Sequence, residues 1–131
     1  MDSIVDIIAQ KANLFHREGV PEQDILQAEK ELRLHFAEEY KEYLVKYGVV
    51  SYENHELTGI CPFPRLNVVC VTKEERQFNP FVPKSYYVIE QANMDGVVIW
   101  QASDGKVYQT YPGLNPVQIA ESLSEYILVY V

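Results

Sequence analysis

The stretch "SYYVIEQANMDGVVIWQASDGKVYQTY", Ser85 to Tyr111, decides the fold. Its three runs of β-branched and aromatic residues, "SYYVIEQA", "GVVIWQA" and "KVYQTY", are separated by "NMDG" and "SDG". An Asp-Gly pair supplies the positive-φ corner of a tight turn, so two such pairs between strand-forming runs predict consecutive hairpins and an antiparallel meander. Asp95 and Asp104 are then turn residues, chosen for their backbone behaviour.

Working outward, "VVSY" and "HELTGI" predict two short strands around a turn at Glu53–Asn54. "CPFPRLN" reads as loop, because two prolines do not fit a central strand. "NVVCVTKEERQF" suits either type, and Val68, Val71 and Glu75 at helical spacing favour a helix. "NPFVPK" is loop again. On the C-terminal side, Asn115 as cap and Pro116 in the first turn predict a final helix whose inner face is Ile119, Ala120, Leu123 and Ile127.

The N-terminal third reads as helices. Ile4, Ile7, Ile8 and Leu14 predict one over Ser3–Phe15, ended by Gly19, with Pro21 opening the next, which buries Ile25, Ala28 and Leu32. In "FAEEYKEYLVKYG", Phe36 to Gly48, the residues Tyr40, Tyr43, Leu44 and Tyr47 follow an i, i+3, i+4, i+7 pattern. Glu38, Glu39, Lys41, Glu42 and Lys46 form its solvated face, and Gly48 reads as a left-handed terminator. The sum is an α+β fold: a mainly antiparallel β-sheet packed with N-terminal helices and a C-terminal helix.

At 131 residues the chain suits one domain, 1–131, with a core large enough to fold without staples. Nineteen acids against 11 bases give a net charge of −8. The acidic surplus lies in residues 1–56 and 86–131, while residues 57–85 carry a slight basic excess. That balance excludes nucleic acid as a direct partner, since phosphate binding draws on clustered Lys and Arg, and it disfavours anionic membrane surfaces. It suits a basic protein partner as well as plain solubility. Cys61 and Cys70 have no second pair and no His at ligand spacing, so neither a metal nor a cofactor is expected. "MDSIVDIIAQK" carries acids where an export signal has bases, and no run approaches a membrane span, which predicts a cytoplasmic protein with two reduced, buried thiols.

Catalytic signatures are missing: no nucleophile elbow, phosphate-cradling loop or dinucleotide fingerprint occurs. "HELTG" has the first half of a zinc-protease motif, but Gly59 stands where the second His belongs. His16, His35 and His55 fall on separate segments and read as surface or helix-end residues. Glu38/Glu42, one helical turn apart beside Lys41 and Lys46, read as structural. Ten tyrosines and one tryptophan remain, residue types enriched both in cores and in binding hot spots.

"ILQAEKELRLHFAEEYKEYLVKYG" resembles the signature of the SUKH superfamily, the group named for a yeast cell-wall-assembly regulator and many bacterial immunity proteins. Glu29 and Leu32 match its first helix; Tyr40, Tyr43, Leu44 and Gly48 match its second; "LTGI", with Gly59, matches the strand that follows. Phe36-Ala37 replaces the usual Leu-Pro step, Arg33 a frequent Gly and Tyr47 a frequent Asn. The resemblance spans residues 20–130 and implies a non-enzymatic role, with Glu29, Leu32, Tyr40, Leu44, Gly48 and Gly59 serving the fold. It implies an immunity protein that binds a cognate toxin, often a nuclease, or alternatively a regulatory or scaffolding module. An acidic inhibitor would mimic the charge of a nuclease substrate. The expected contacts are Glu38, Glu39, Glu42, Glu53 and Glu56, with Tyr52, Tyr86 and Tyr87. A small-molecule-binding or hydrolytic domain is the third reading, resting on Cys61, Cys70 and scattered carboxylates.

Overall fold

A computed structural model describes residues 3–92 and 96–130; Asp95 of the first Asp-Gly turn lies outside the described residues. The helices are α1 (Ile4–Ala9), α2 (Glu22–Leu32), α3 (Glu38–Lys46), α4 (Val68–Phe78) and α5 (Leu123–Tyr130). The strands are β1 (Phe15–Glu18), β2 (Tyr47–Tyr52), β3 (His55–Leu57), β4 (Tyr87–Gln91), β5 (Val98–Gln101), β6 (Val107–Thr110) and β7 (Val117–Ala120). The seven strands lie side by side in chain order, each antiparallel to the next. The expected α+β class holds, and the β4–β5–β6 meander registers Val88 on Trp100 and Trp100 on Tyr108.

Three expectations change. The first helix stops at Ala9, and Phe15–Glu18 pairs with β2 as an edge strand, Phe15 opposite Ser51. Gly19 therefore follows a strand, and Pro21 stands at the cap of α2 rather than in its first turn. Nor is Gly48 a left-handed terminator. Helix α3 passes directly into β2 through an extended Tyr47, so that Tyr47 packs from a strand. What requires glycine is close approach of backbones. A Cβ at Gly48 would lie 2.6 Å from the Glu18 carbonyl oxygen, and one at Gly59 would lie 1.7 Å from that of Gly48. The left-handed corner falls instead at Arg33 (φ 57°), which ends α2 with Leu34 N–H donating to the Glu29 carbonyl at 3.1 Å.

The third change is at the C-terminus. Val117–Ala120 pairs with β6 as β7, and α5 begins at Leu123, capped by Ser122, whose Oγ accepts the Glu125 N–H at 3.0 Å. Asn115 and Pro116 lie in the loop that leads into β7. The helix expected over 68–78 does form. Asn67 caps it, its Oδ1 accepting from Val69 N–H (2.9 Å) and Cys70 N–H (3.3 Å) while its Nδ2 donates to the Cys61 carbonyl (2.9 Å). Asn67→Ala is expected to lower stability by about 1–2 kcal/mol, read as a shift of the urea midpoint at unchanged slope.

Both faces of the sheet are covered. In β5, Val98 and Trp100 join Val71, Val82 and Val88 in a small cluster beside α4. Ile99 joins the larger core, where Ile7 and Ile8 of α1, Leu32 of α2, Tyr40 and Leu44 of α3 and Ile127 of α5 meet. The thiols are free, but Cys70 is exposed and Cys61 half-buried, against the expectation that both are buried.

Candidate functional site

The motif residues are consumed by the fold. Glu29 is buried, and its Oε2 accepts the Phe36 N–H at 2.8 Å, with Lys41 Nζ 3.8 Å away. The Tyr43 hydroxyl donates to the Thr58 carbonyl at 2.8 Å and that of Tyr40 to the same oxygen at 3.2 Å. Thr58 Oγ1 donates in turn to the Val88 carbonyl at 2.7 Å. Two tyrosines of α3 are thereby tied through one threonine to β4. Leu32 and Leu44 pack in the core.

Four of the expected contact residues are buried or engaged within the fold. Tyr87 is fully buried: its hydroxyl accepts the Ala37 N–H at 2.9 Å and donates to Gln101 Oε1 at 2.7 Å. Tyr52 is buried in the core beside His55. Glu39 is half-buried and turned inward: its carboxylate accepts from Leu123 N–H, from Ser124 N–H (3.3 Å) and Oγ (3.1 Å), and from Gln101 Nε2 (3.0 Å). Glu56 is half-buried in a two-pronged pair with Arg65 (2.9 and 3.0 Å), and that guanidinium holds its carboxyl below the usual carboxylate range. Tyr86 is half-buried, stacked on Tyr108 at 4.7 Å, and its phenol is pushed up to about 12 by burial and by the bond to Tyr108.

Glu38, Glu42 and Glu53 are exposed. Glu53 holds the left-handed corner of the β2–β3 turn (φ 50°). Glu38 and Glu42 share the outer side of α3, where Glu38 lies 3.6 Å from Lys41. Two neighbours of this face escaped the sequence reading. Leu26 on α2 is 55% exposed and Val45 on α3 is 61% exposed. Both line a groove of about 440 Å³ between the helices, with Val20 and Pro21 beside them and Glu22 and Lys41 on its rim. The signal was present in the periodicity: Leu26 falls outside the Ile25, Ala28, Leu32 stripe, and Val45 outside the Tyr40, Tyr43, Leu44 stripe. An apolar centre with a charged rim is the composition of a protein-binding patch rather than of a catalytic centre.

Among the described residues no group of three or more His, Cys, Asp or Glu gathers as a metal site, and no helix is long and apolar enough to cross a membrane. A family profile described as SMI1-KNR4 cell-wall, SUKH_5, matches residues 1–131. No curated protein matches the chain. Among solved structures, the crystal structure of a protein from Pseudomonas syringae pv. tomato superposes with a TM-score of 0.78 at 17% identity, covering 97% of each chain. At that identity the likeness is one of fold.

Proposed function

We propose that this chain, which belongs to the SUKH_5 (SMI1-KNR4 cell-wall) family, is a protein-binding module and, more finely, an immunity protein that neutralises a cognate toxin. The family consists generally of non-enzymatic immunity and regulatory proteins that act on protein partners. The observation that supports the reading is the α2–α3 face, where Leu26 and Val45 stand exposed in a groove with Glu22 and Lys41 on its rim and the exposed Glu38 and Glu42 lie on the same helix as Val45. Desolvated Leu26 and Val45 supply the centre of an interface, and the acids draw in a basic surface such as the nucleic-acid-binding cleft of a nuclease. Covering a standard interface would bury about 1,600 Å² in total. The net charge of −8 supports fast association with such a partner.

The test is co-expression with the C-terminal domain of the protein encoded beside this one. The expected result is that the domain kills cells, that this chain restores growth, and that the two co-elute on gel filtration. Glu38→Lys with Glu42→Lys should slow association about 10-fold or more at low salt, with the melting temperature unchanged. Leu26→Asp with Val45→Asp should raise the dissociation rate. A harmless neighbour, or rescue indifferent to all four substitutions, overturns the reading. A harmless neighbour together with a stable partner held on the same face would assign the chain to the regulatory or scaffolding branch.

A further inference from the structure

Between α5 and the sheet from β3 to β7 lies a cavity of about 470 Å³, within the size range of small-ligand sites. Its wall is aliphatic at Val97, Ile99 and Ile119. One carboxylate is set deep in it: Glu90, 3% exposed. The register of β4 slips between Val88 and Glu90, which places Glu90 opposite Ile99, a residue of the cavity wall. Its Oε2 lies 2.9 Å from His55 Nδ1, and its Oε1 accepts from the Tyr126 hydroxyl. Both partners line the cavity, so the carboxylate is held in one orientation.

A carboxylate kept in an apolar wall costs folding free energy unless it is fully compensated. Among the described residues lining this cavity there is neither lysine nor arginine. The second acid at its edge, Glu56, is matched from elsewhere by Arg65. Glu90 and Glu56 are the carboxylates of the lining, Glu90 is paired inside the cavity with the His55 ring, and the uncharged polar groups there, Asn54, Gln109 and Tyr111, offer oxygen acceptors as well as donors. An anion would be repelled by the Glu90 carboxylate. A cation with an apolar body meets both the carboxylate and the aliphatic wall.

We propose that this cavity is a binding site for an organic cation, a primary ammonium or guanidinium carried on an apolar stem. It uses none of Leu26, Val45, Glu38 or Glu42, so it stands or falls apart from the toxin-binding face. The cation could be a free amine or a side chain of a partner protein, and the recognition chemistry is the same.

The experiment is an NMR titration of the isotope-labelled protein with benzylamine, benzyl alcohol and benzoate. Benzylamine is expected to shift the amides of His55, Gln91, Gln109 and Ile119 and to bind at least 10-fold tighter than benzyl alcohol, with benzoate leaving them unmoved. Gln109→Lys places an ammonium in the cavity and leaves Glu90, His55 and Tyr126 in place; it should weaken benzylamine 10-fold or more. Ile119→Phe narrows the cavity without changing its charge and should weaken benzylamine and benzyl alcohol by the same factor. Equal binding of benzoate or benzyl alcohol, no cavity shifts with benzylamine, or a Gln109→Lys protein that binds benzylamine as before would each overturn the proposal. An acetyl-Gly-Lys-Gly-amide arm separates the sources. Tighter binding of the peptide assigns the site to a partner's lysine and tighter binding of benzylamine assigns it to a free amine; both uphold a cation site.

Discussion

Glu39→Ala is expected to destabilise the protein by about 2–4 kcal/mol, while Glu38→Ala and Glu42→Ala on the same helix stay within about 0.5 kcal/mol of the parent. The three glutamates lie within five positions of one another, yet only Glu39 faces inward. Leu123 N–H and Ser124 N–H are two of the donors left open at the start of any helix, and the Glu39 carboxylate accepts both. It adds the Ser124 hydroxyl and the Gln101 side chain. Hydrogen bonds to an ionised group contribute about 1.5–3 kcal/mol each, but four sharing one carboxylate are far from additive, hence the smaller total. A negative charge at a helix N-terminus also complements the dipole. For a chain of this length the loss corresponds to a melting temperature lower by about 7–15 °C. Glu39→Gln keeps one acceptor oxygen and should fall between the two. Thermal unfolding of the four variants decides: a Glu39→Ala protein as stable as Glu38→Ala would mean that α5 is not anchored through this carboxylate. Faster amide exchange confined to the first turn of α5 would locate the damage there.

That contrast also shows which parts of the molecule the sequence carried. Elements whose reasons are local were legible. The Ser103–Asp104–Gly105 turn needs only its own residues, with Lys106 N–H donating to Asp104 Oδ1 at 3.0 Å and Gly105 at φ 97°. Asn67 ahead of "VVCVTKEERQF" is likewise a local cap, and the expected helix formed there. The two misread segments have distant reasons. Phe15–Glu18 is exposed at every position, so it has no alternation to read, and it is a strand because β2 offers it an edge. Val117–Ala120 follows an Asn-Pro pair that suits a helix start equally well, and pairing with β6 settles it.

The site residues divide in the same way. Glu38, Glu39 and Glu42 are indistinguishable by composition, and the difference lies in a helix 84 residues along the chain. Tyr87 follows Tyr86 in sequence, but strand alternation sends the first into the large core and the second toward the small one. Leu26 and Val45 could have been found by asking which apolar residues depart from the helical stripe. Glu90, His55 and Tyr126 could not, since three elements bring them together.

The tyrosine core carries the other large expected effect, a steep loss of stability above pH 10. Tyr40, Tyr43, Tyr52, Tyr87 and Tyr126 are buried, and burial is the leading cause that raises each phenol above the ordinary value of 10.0. Nearby carboxylates add to the rise, Glu90 for Tyr52 and Tyr126 and Glu39 for Tyr87. Below pH 10 both folded and unfolded chains keep these protons, and the stabilisation is complete. Above it the unfolded chain releases them while the folded chain holds them, so the unfolded state binds fewer protons and stability falls as pH rises. Each group approaches a slope of 2.303RT, so five together remove about 5 kcal/mol between pH 10 and 11 and about 7 kcal/mol in the next unit. That matches much of the 5–15 kcal/mol by which domains are stable, so cooperative unfolding is expected between about pH 11 and 12. Absorbance at 295 nm should rise first as accessible tyrosines ionise with the circular dichroism intact. It should then step up together with loss of the dichroism as the five buried groups ionise. Tyr43→Phe removes one of the five and should flatten the slope of stability against pH by a fifth, although it forfeits the bond to the Thr58 carbonyl at neutral pH. A single smooth titration of all tyrosines near pH 10 with the fold retained would show that these phenols are not sealed inside, and the hydrogen-bonded core linking α3 to β4 would have to be redrawn.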